Sequence, residues 1–443
     1  MSVRGGDNSY VVNNRPTGWG PRIGFGWDVF GNGRLALRGG YGRFYNRLAG
    51  GSFSFPARSN PPTWASPSFS VFNNQPFSYA LGDASGSIWP LPPGLTFQTN
   101  AAGGLVGIPV YTSGEVPKMN QPRTHTWMFA VQRDMGHDVI LEADYNGSKS
   151  NNLFIQTDVN RFPGDLVKNN GTQTRLNPNF GPIVYGRTMG VADGHFGTLM
   201  ARKRFSRSWS LRGIFTVGKA TDYHSSNDNG TANGEAVFNP LNVAAQHGLA
   251  DYSVARRLTI DSVFAVPVPW KEGLAFRVLG GWLLSTIATL QSGQPFTVYT
   301  SAPYNVVNGA NVGGDFNADG YDYDTPNTPS FGNDKSSSRS DFINGVFKAS
   351  DFPVPPPGQE GSLGRNTFHG PGLANVNVEV NKGIKIPWFT SEGANFEIRG
   401  DLFNLFNRVN LTNPVGDLSS GLFGQSVSQS LPRAVQFGIH ITF

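Results

Sequence analysis

Apolar and polar residues alternate with a period of two along eleven segments of this chain, and the last of these segments ends the sequence at Phe443. In that segment, Arg433–Phe443, the apolar residues Val435, Phe437, Ile439, Ile441 and Phe443 share one parity. Successive side chains of a β-strand point to opposite faces, so the pattern predicts a strand with one apolar and one polar face. Chain termini usually end in polar residues. An apolar terminal strand therefore indicates an apolar environment, either a protein core or lipid.

The other ten segments show the same alternation. They are Arg22–Phe30, Arg34–Tyr45, Thr124–Met135, Asp138–Gly147, His195–Phe205, Ser208–Lys219, Arg256–Val266, Ala275–Leu290, Leu373–Gly383 and Asn395–Asn407. Several carry charges at every second position, for example Arg257 and Asp261 opposite Leu258 and Ile260. A protein core excludes unpaired charge, so one face of these strands must be wet.

Short and long connections alternate between the predicted strands. The short ones are turns such as "GNG" and "GHD", whereas the long ones are rich in Gly, Pro, Asn and Ser: Asn46–Arg123, Asn151–Asp193, Asp222–Ala255, Tyr299–Gly372 and Arg408–Pro432. Compact soluble domains seldom contain loops longer than about 15 residues. Tight turns at one end and long loops at the other are typical of outer-membrane barrels. The pattern therefore predicts an all-β, transmembrane antiparallel barrel wall of about 11 strands with long external loops.

Composition narrows the alternatives. The chain has 56 Gly, 33 Phe and no Cys, which excludes a disulfide scaffold and Cys-bound metal. Its net charge of +5 is spread along the sequence without a basic run, so we expect no nucleic-acid partner. No stretch is apolar enough for a transmembrane helix, and the closest one, Leu274–Leu290, is predicted as a strand. The first 16 residues lack the apolar region of a signal peptide.

Three motifs resemble TonB-dependent outer-membrane receptors, particularly the Oar-like branch. They are "LRGGYGRFYNR" (Leu37–Arg47), "FEIRGDLFNLFNRVNLTNP" (Phe396–Pro414) and the terminal "VQFGIHITF" (Val435–Phe443). Their order and spacing are similar to those of the closing part of such a barrel, and the resemblance covers essentially residues 1–443. It implies a location in the bacterial outer membrane, with outer-membrane lipid as a partner.

The resemblance also implies parts that we do not find in the sequence. Family members begin with a signal peptide, an energy-coupling motif and a plug domain, and their barrels have about 22 strands. We therefore expect residues 1–443 to form the C-terminal half of a larger barrel, with signal peptide, plug and N-terminal strands absent. TonB would act only through the missing plug. The terminal residues Phe437, Ile439, Ile441 and Phe443 would be the signal that the barrel-assembly machinery reads.

No enzymatic motif is present, so we expect a protein that is not an enzyme. The seven histidines are scattered, and the sequence contains no HExxH motif, nucleophile elbow or phosphate loop. Glu142 and Asp144 lie two apart on one strand, a spacing that a hydrated lumen wall explains better than glycosidase chemistry.

One loop has the oxygen spacing of a calcium site. In "DFNADGYDYDTPN", Asp315, Asn317 and Asp319 occupy positions 1, 3 and 5, and a glycine occupies position 6. The bidentate Glu expected at position 12 is missing, so Asp322 or Asp324 would have to replace it. The two interpretations are a Ca²⁺ loop and an acidic, turn-rich external loop. No other cofactor is expected.

The expected function is ligand capture by the external loops and uptake through a polar lumen. The ligand class stays open between oligosaccharide, peptide and protein, although Trp64, Tyr79 and Trp89 in the first long loop suggest sugar stacking. Two other functions fit the sequence. One is a stand-alone porin or adhesin-like barrel, and the other is a secreted, β-rich carbohydrate-binding protein.

Overall fold

A computed structural model describes residues 18–46, 112–115, 119–206, 208–225, 239–270, 272–332, 337–386 and 394–442. Seventeen strands and three short α-helices are found in these ranges. The strands are β1 (Arg22–Asp28), β2 (Leu35–Tyr45), β3 (Thr112–Glu115), β4 (Arg123–Gly136), β5 (Val139–Asp158), β6 (Ile183–Ser206), β7 (Trp209–Asp222), β8 (Gly248–Leu249), β9 (Arg256–Ala265), β10 (Trp282–Gln291), β11 (Pro295–Phe296), β12 (Val306–Val307), β13 (Ala310–Asn311), β14 (Phe368–His369), β15 (Leu373–Ile386), β16 (Ala394–Phe403) and β17 (Ala434–Thr442). The helices are α1 (Asp165–Lys168), α2 (Gly273–Leu279) and α3 (Arg339–Asn344), with 3-10 turns at Val243–Gln246 and Ala349–Asp351.

One antiparallel sheet dominates the fold and confirms the predicted strand wall. Eleven strands pair in the order β1-β2-β4-β5-β6-β7-β9-β10-β15-β16-β17, and β3 and β8 add short edges to bring the sheet to 13 strands. Within the described ranges no ladder joins β1 to β17, so the sheet is open. None of the helices in the described part of the chain is long and apolar enough to cross a membrane.

The connections confirm the predicted segregation. Each strand of the main path runs antiparallel to its neighbours, so the long external connections lie at one end of the sheet and the connections predicted to be short lie at the other. The β9–β10 connection (266–281) is longer than predicted, because it contains α2. The β4–β5 turn consists of His137 and Asp138, and both have positive φ, as a two-residue turn of type I′ requires. The β15–β16 turn (387–393) lies outside the described residues.

The ladder register places the predicted apolar parities on a single face of the sheet, here called the apolar face. Trp127 of β4 pairs with Tyr41 and Gly147, and Phe129 pairs with Tyr145. Followed from strand to strand, the same face carries Phe437 and Ile439 on β17. Phe437 is 82% exposed and Ile439 is 68% exposed. Water would not stabilise so many exposed apolar side chains, but a lipid environment does.

Charged residues limit an uncharged band on the apolar face. Towards the long connections this face carries Arg43, Lys149, Asp193, Lys219 and Arg256, and towards the short turns it carries Arg133, Lys203 and Lys382. On β6 the band between Asp193 and Lys203 is about nine residues long, which matches the length of a tilted membrane-spanning strand. Trp127 and the hydrogen-bonded pairs Tyr41–His125 and Tyr145–His195, each 2.7 Å between oxygen and nitrogen, form aromatic positions in the band.

The opposite face of the sheet, here called the polar face, carries charges that pair with one another. Arg212 donates to Asp261 at 2.8 Å, and Arg399 lies 2.9 Å from Asp401 and 3.4 Å from Glu379. These pairs are partly exposed, so water screens them and each contributes little to stability. These charged side chains make the polar face hydrophilic, as expected for a barrel lumen.

Two sequence-based boundaries were wrong. The predicted loop Asn151–Asp193 is partly strand, since β5 continues to Asp158 and β6 begins at Ile183, and only residues 159–182 connect the two strands. This extension lies beyond the uncharged band, where both faces of the sheet are wet, so the apolar alternation that marks a strand in the membrane is lost there. β3 pairs in parallel with Ile183–Gly186 and so provides hydrogen-bond partners for the backbone of the extended part of β6.

The predicted strand Leu274–Leu290 was the second error, because its first part is helix α2 and only Trp282–Gln291 is strand. Gly281, between the two elements, has a φ of 75°, a backbone conformation that favours glycine. The chain changes direction there. Lys382 stabilises the end of the helix, because its ammonium donates to the Val278 carbonyl at 2.6 Å and lies over the Trp282 ring.

Candidate ligand-binding site in the long connections

The long connections pack together into a unit with its own hydrophobic core, here called the loop cap. The β10–β15 connection supplies most of this core, and Phe423 comes from the β16–β17 connection. Its buried residues are Phe296, Val298, Phe342, Val346, Phe347, Phe352, Leu363, Phe368 and Phe423. The rings of Phe347 and Phe368 lie 4.7 Å apart at a tilt of 56°, a favourable aromatic geometry. Because this core is apolar and buried, the loop cap holds a defined shape above the sheet.

A buried ion pair attaches the loop cap to the β7–β9 connection. The guanidinium of Arg365 contacts the carboxylate of Asp222, which is 2% exposed, and lies 3.2 Å from Asp251. It also donates to the backbone carbonyls of Asp222 and Gln246. The neighbouring Asn366 donates to the Leu249 carbonyl at 2.7 Å. Since one charge and several backbone groups are satisfied together, this contact fixes two connections relative to each other.

A cavity of about 880 Å³ lies beside this ion pair. Its walls come from the β7–β9, β10–β15 and β16–β17 connections, and they combine aromatic rings with polar groups. Prominent lining residues are Tyr223, His224, Tyr252, Tyr299, Tyr323 and Asn413. Tyr299 and Tyr323 stack with their ring centroids 4.2 Å apart. Flat aromatic surfaces beside hydrogen-bonding groups suit a polar ligand with apolar faces, and the volume is that of typical ligand sites.

Two tyrosines of the cavity, Tyr252 and Tyr299, have a raised pKa. Partial burial raises the pKa of Tyr252, although the residue is 60% exposed, and the nearby charges of Asp222 and Asp251 raise it further. Burial also raises the pKa of Tyr299, with a second contribution from Asp417. Both side chains therefore present neutral O–H groups that can donate to a ligand oxygen. No local sequence motif marks these residues, because the cavity depends on contacts between distant connections.

The predicted acidic loop is folded and buried inside the loop cap. Asp315, Asn317 and Asp319 are each fully buried, and Asp322 is exposed. The structure thus brings three of the four predicted residues together, while Asp324 accepts a hydrogen bond from the Asn317 N–H at 3.0 Å. The three carboxyamide and carboxylate groups accept from backbone N–H groups of Asp319, Gly320 and Tyr321, in the manner of consecutive Asx turns.

An arginine forms an ion pair with one carboxylate of this loop. Arg161 donates to both oxygens of Asp319, at 2.6 and 2.9 Å, and its guanidinium lies 4.5 Å from the centroid of the Tyr321 ring. Burial, followed by the charge of Asp319, raises the pKa of Asp315 to about 7. Across the described ranges, no group of three or more His, Asp or Glu side chains is arranged to hold a metal ion. Calcium binding therefore stays a prediction.

The terminal strand is placed as predicted, as far as it is described. Phe437, Ile439 and Ile441 lie on the apolar face opposite Gly400, Ile398 and Phe396 of β16. Phe443 lies outside the described residues, as do Trp64, Tyr79 and Trp89 of the first long loop. The aromatic residues identified in the cavity are thus different from those that the sequence suggested.

An antiparallel sheet with an uncharged apolar band, a polar opposite face and long connections at one end defines an integral outer-membrane barrel protein. The sequence profile of the outer membrane beta barrel domain matches residues 1–436. The chain belongs to this family, and its location is the bacterial outer membrane. No curated protein matches the sequence.

The comparison with solved structures identifies outer-membrane transporters and receptors. The chain is similar to the outer membrane transporter YddB from Escherichia coli, with 11% identity and a TM-score of 0.50 over 95% of this chain and 40% of YddB. It also matches the ferric citrate transporter FecA (11% identity, TM-score 0.40, 96% and 38% of the two chains) and the ferric-catecholate import receptor Fiu from E. coli (10%, 0.38, 95% and 34%). The chain therefore spans about two fifths of the length of YddB.

Proposed function

We propose that residues 1–443 are the ligand-capturing C-terminal part of the barrel of a TonB-dependent, Oar-like outer-membrane receptor. The observation that carries this proposal is the cavity of about 880 Å³, built from three of the long connections at one end of the sheet. A ligand held there would lie at the entrance of a hydrated path. The proposal includes a larger barrel, a plug that contacts TonB, and assembly through the terminal strand.

The proposed ligand is a polar molecule of several linked units, either an oligosaccharide or a peptide. Support comes from the tyrosine rings, which can stack on sugar or peptide planes, and from hydroxyl, amide and imidazole groups around them. The ion pair of Arg365 is already satisfied by Asp222 and Asp251, so the cavity does not offer a free guanidinium to a strongly anionic ligand.

The arrangement of the gene tests the larger-barrel part of the proposal. An in-frame upstream sequence that encodes a signal peptide, a plug and further strands would support it. A signal peptide encoded in frame directly before residue 1, with a stop codon upstream of it, would favour the stand-alone porin or adhesin-like barrel. Recovery of the protein in the soluble fraction without detergent would favour the secreted carbohydrate-binding protein.

Tyr252 offers a direct test of the cavity, because it lines the cavity and its side chain is 60% exposed, so its removal should leave the loop cap folded. The probes are a mixture of oligosaccharides of two to ten units and a tryptic digest of casein, applied to outer-membrane vesicles that contain the protein. We expect one of the two probe mixtures to bind and Tyr252→Ala to weaken that binding about tenfold. The control is Tyr304→Ala, outside the cavity lining. Equal effects of the two variants would contradict the assignment of the site.

A further inference from the structure

A groove of about 520 Å³ lies on the outer rim of the sheet, distinct from the cavity of the loop cap. Its floor consists of Phe215, Leu258 and Leu290 from three neighbouring strands. The ladders pair Phe215 with Leu258 and Leu258 with Leu290, so the three side chains share the apolar face. The floor is thus continuous with the surface that contacts membrane lipid.

Four arginines line the groove. Arg257 donates to the Gln291 side chain at 3.0 Å, and the other three surround the floor. Arg256 ends the uncharged band on β9, Arg339 is the first residue of α3, and Arg408 follows β16. All three are exposed, and none forms an ion pair with another described residue. The groove lining contains no Asp or Glu. The groove therefore combines an apolar floor with a positive rim, and no carboxylate in the described part of the chain neutralises that rim.

We propose that this groove binds an outer-leaflet lipid whose headgroup carries phosphate. Long connections of outer-membrane barrels lie on the external side, so the groove is at the level of the outer-leaflet headgroups. An acyl chain would contact Leu258 and Leu290, and phosphate oxygens would accept hydrogen bonds from the guanidinium groups, whose planar forks match phosphate geometry. Such a lipid would connect the sheet to α3 of the loop cap, since Arg339 and Arg256 belong to these two parts.

The test uses the protein extracted from outer membranes in a non-ionic detergent, with lipid binding measured by native mass spectrometry. The probes are lipid A with two phosphates, the same lipid after removal of both phosphates, and inorganic phosphate. We expect the diphosphorylated lipid to bind at least about tenfold more tightly than the dephosphorylated lipid. The combined variant Arg256→Gln, Arg339→Gln, Arg408→Gln should lose that difference.

The matched control is Arg38→Gln, an exposed arginine on the polar face of β2, which should bind the diphosphorylated lipid like the unmodified protein. If the combined variant fails to fold, as seen by protease sensitivity of the whole chain, Arg408→Gln alone should weaken binding about threefold. Replacement of all three arginines by lysine should give an intermediate affinity, because the charge is kept and the planar fork is lost.

Three results would overturn the proposal. The first is equal binding of the two lipids by the unmodified protein. The second is unchanged binding after the arginines are replaced. The third is inorganic phosphate that competes as strongly as the diphosphorylated lipid, because the apolar floor would then contribute nothing and the groove would be a simple anion site.

Discussion

Replacing Phe347 by alanine should open the loop cap without unfolding the sheet. Phe347 is 5% exposed and lies in the middle of the hydrophobic core. Its ring centroid is 4.7 to 6.3 Å from those of four other phenylalanines, namely Phe368, Phe352, Phe331 and Phe296. The substitution removes a buried aromatic side chain and leaves a cavity, which costs about 3–5 kcal/mol. Because about 1.4 kcal/mol corresponds to a factor of ten, the opening equilibrium of the loop cap should rise about a thousandfold.

Hydrogen exchange measured by mass spectrometry checks this prediction. The N–H of Val346 donates to the Gly424 carbonyl at 2.9 Å and thereby joins the two connections that form the core. The protection of the Val346 amide against exchange should fall about a thousandfold as the loop cap opens. Amides in β5 and β6 should keep their protection, because the main ladders do not depend on this core. The matched control is Phe406→Ala, whose side chain is 73% exposed. Equal loss of protection in both variants, or loss throughout the sheet, would refute the reasoning.

Three further outcomes are expected. Arg365→Ala should destabilise the loop cap by about 3–5 kcal/mol, seen as proteolysis in the long connections, because a buried carboxylate loses its cation, and Arg365→Lys should be intermediate. If the acidic loop binds calcium, calorimetry should detect heat that Asp319→Ala removes and Asp322→Asn leaves largely intact, since only the former side chain is buried; no calcium-dependent heat would favour the plain acidic loop. Deletion of Phe443 in the full-length receptor should lower its outer-membrane level more than His440→Gln does, and equal levels would count against a terminal assembly signal.

Much of the sheet could be predicted from the sequence because the membrane imposes a simple local rule. A spanning strand must alternate apolar and polar residues, so Phe437, Ile439 and Ile441 mark the apolar face without any knowledge of their neighbours. Turn residues such as His137 and Asp138 mark the short connections for an equally local reason, because they adopt positive φ more readily than most residues.

The sequence alone therefore determined the strand order, the apolar face and the separation of short turns from long connections, each of which follows from local periodicity. The tertiary structure decided where β5 and β6 extend beyond the membrane and that the chain before Trp282 forms a helix. It also decided the candidate site. Arg365 and Asp222 are 143 residues apart in sequence, and Arg161 and Asp319 are 158 apart. No local pattern records such pairings, because they form only when the hydrophobic core of the loop cap brings the distant connections together.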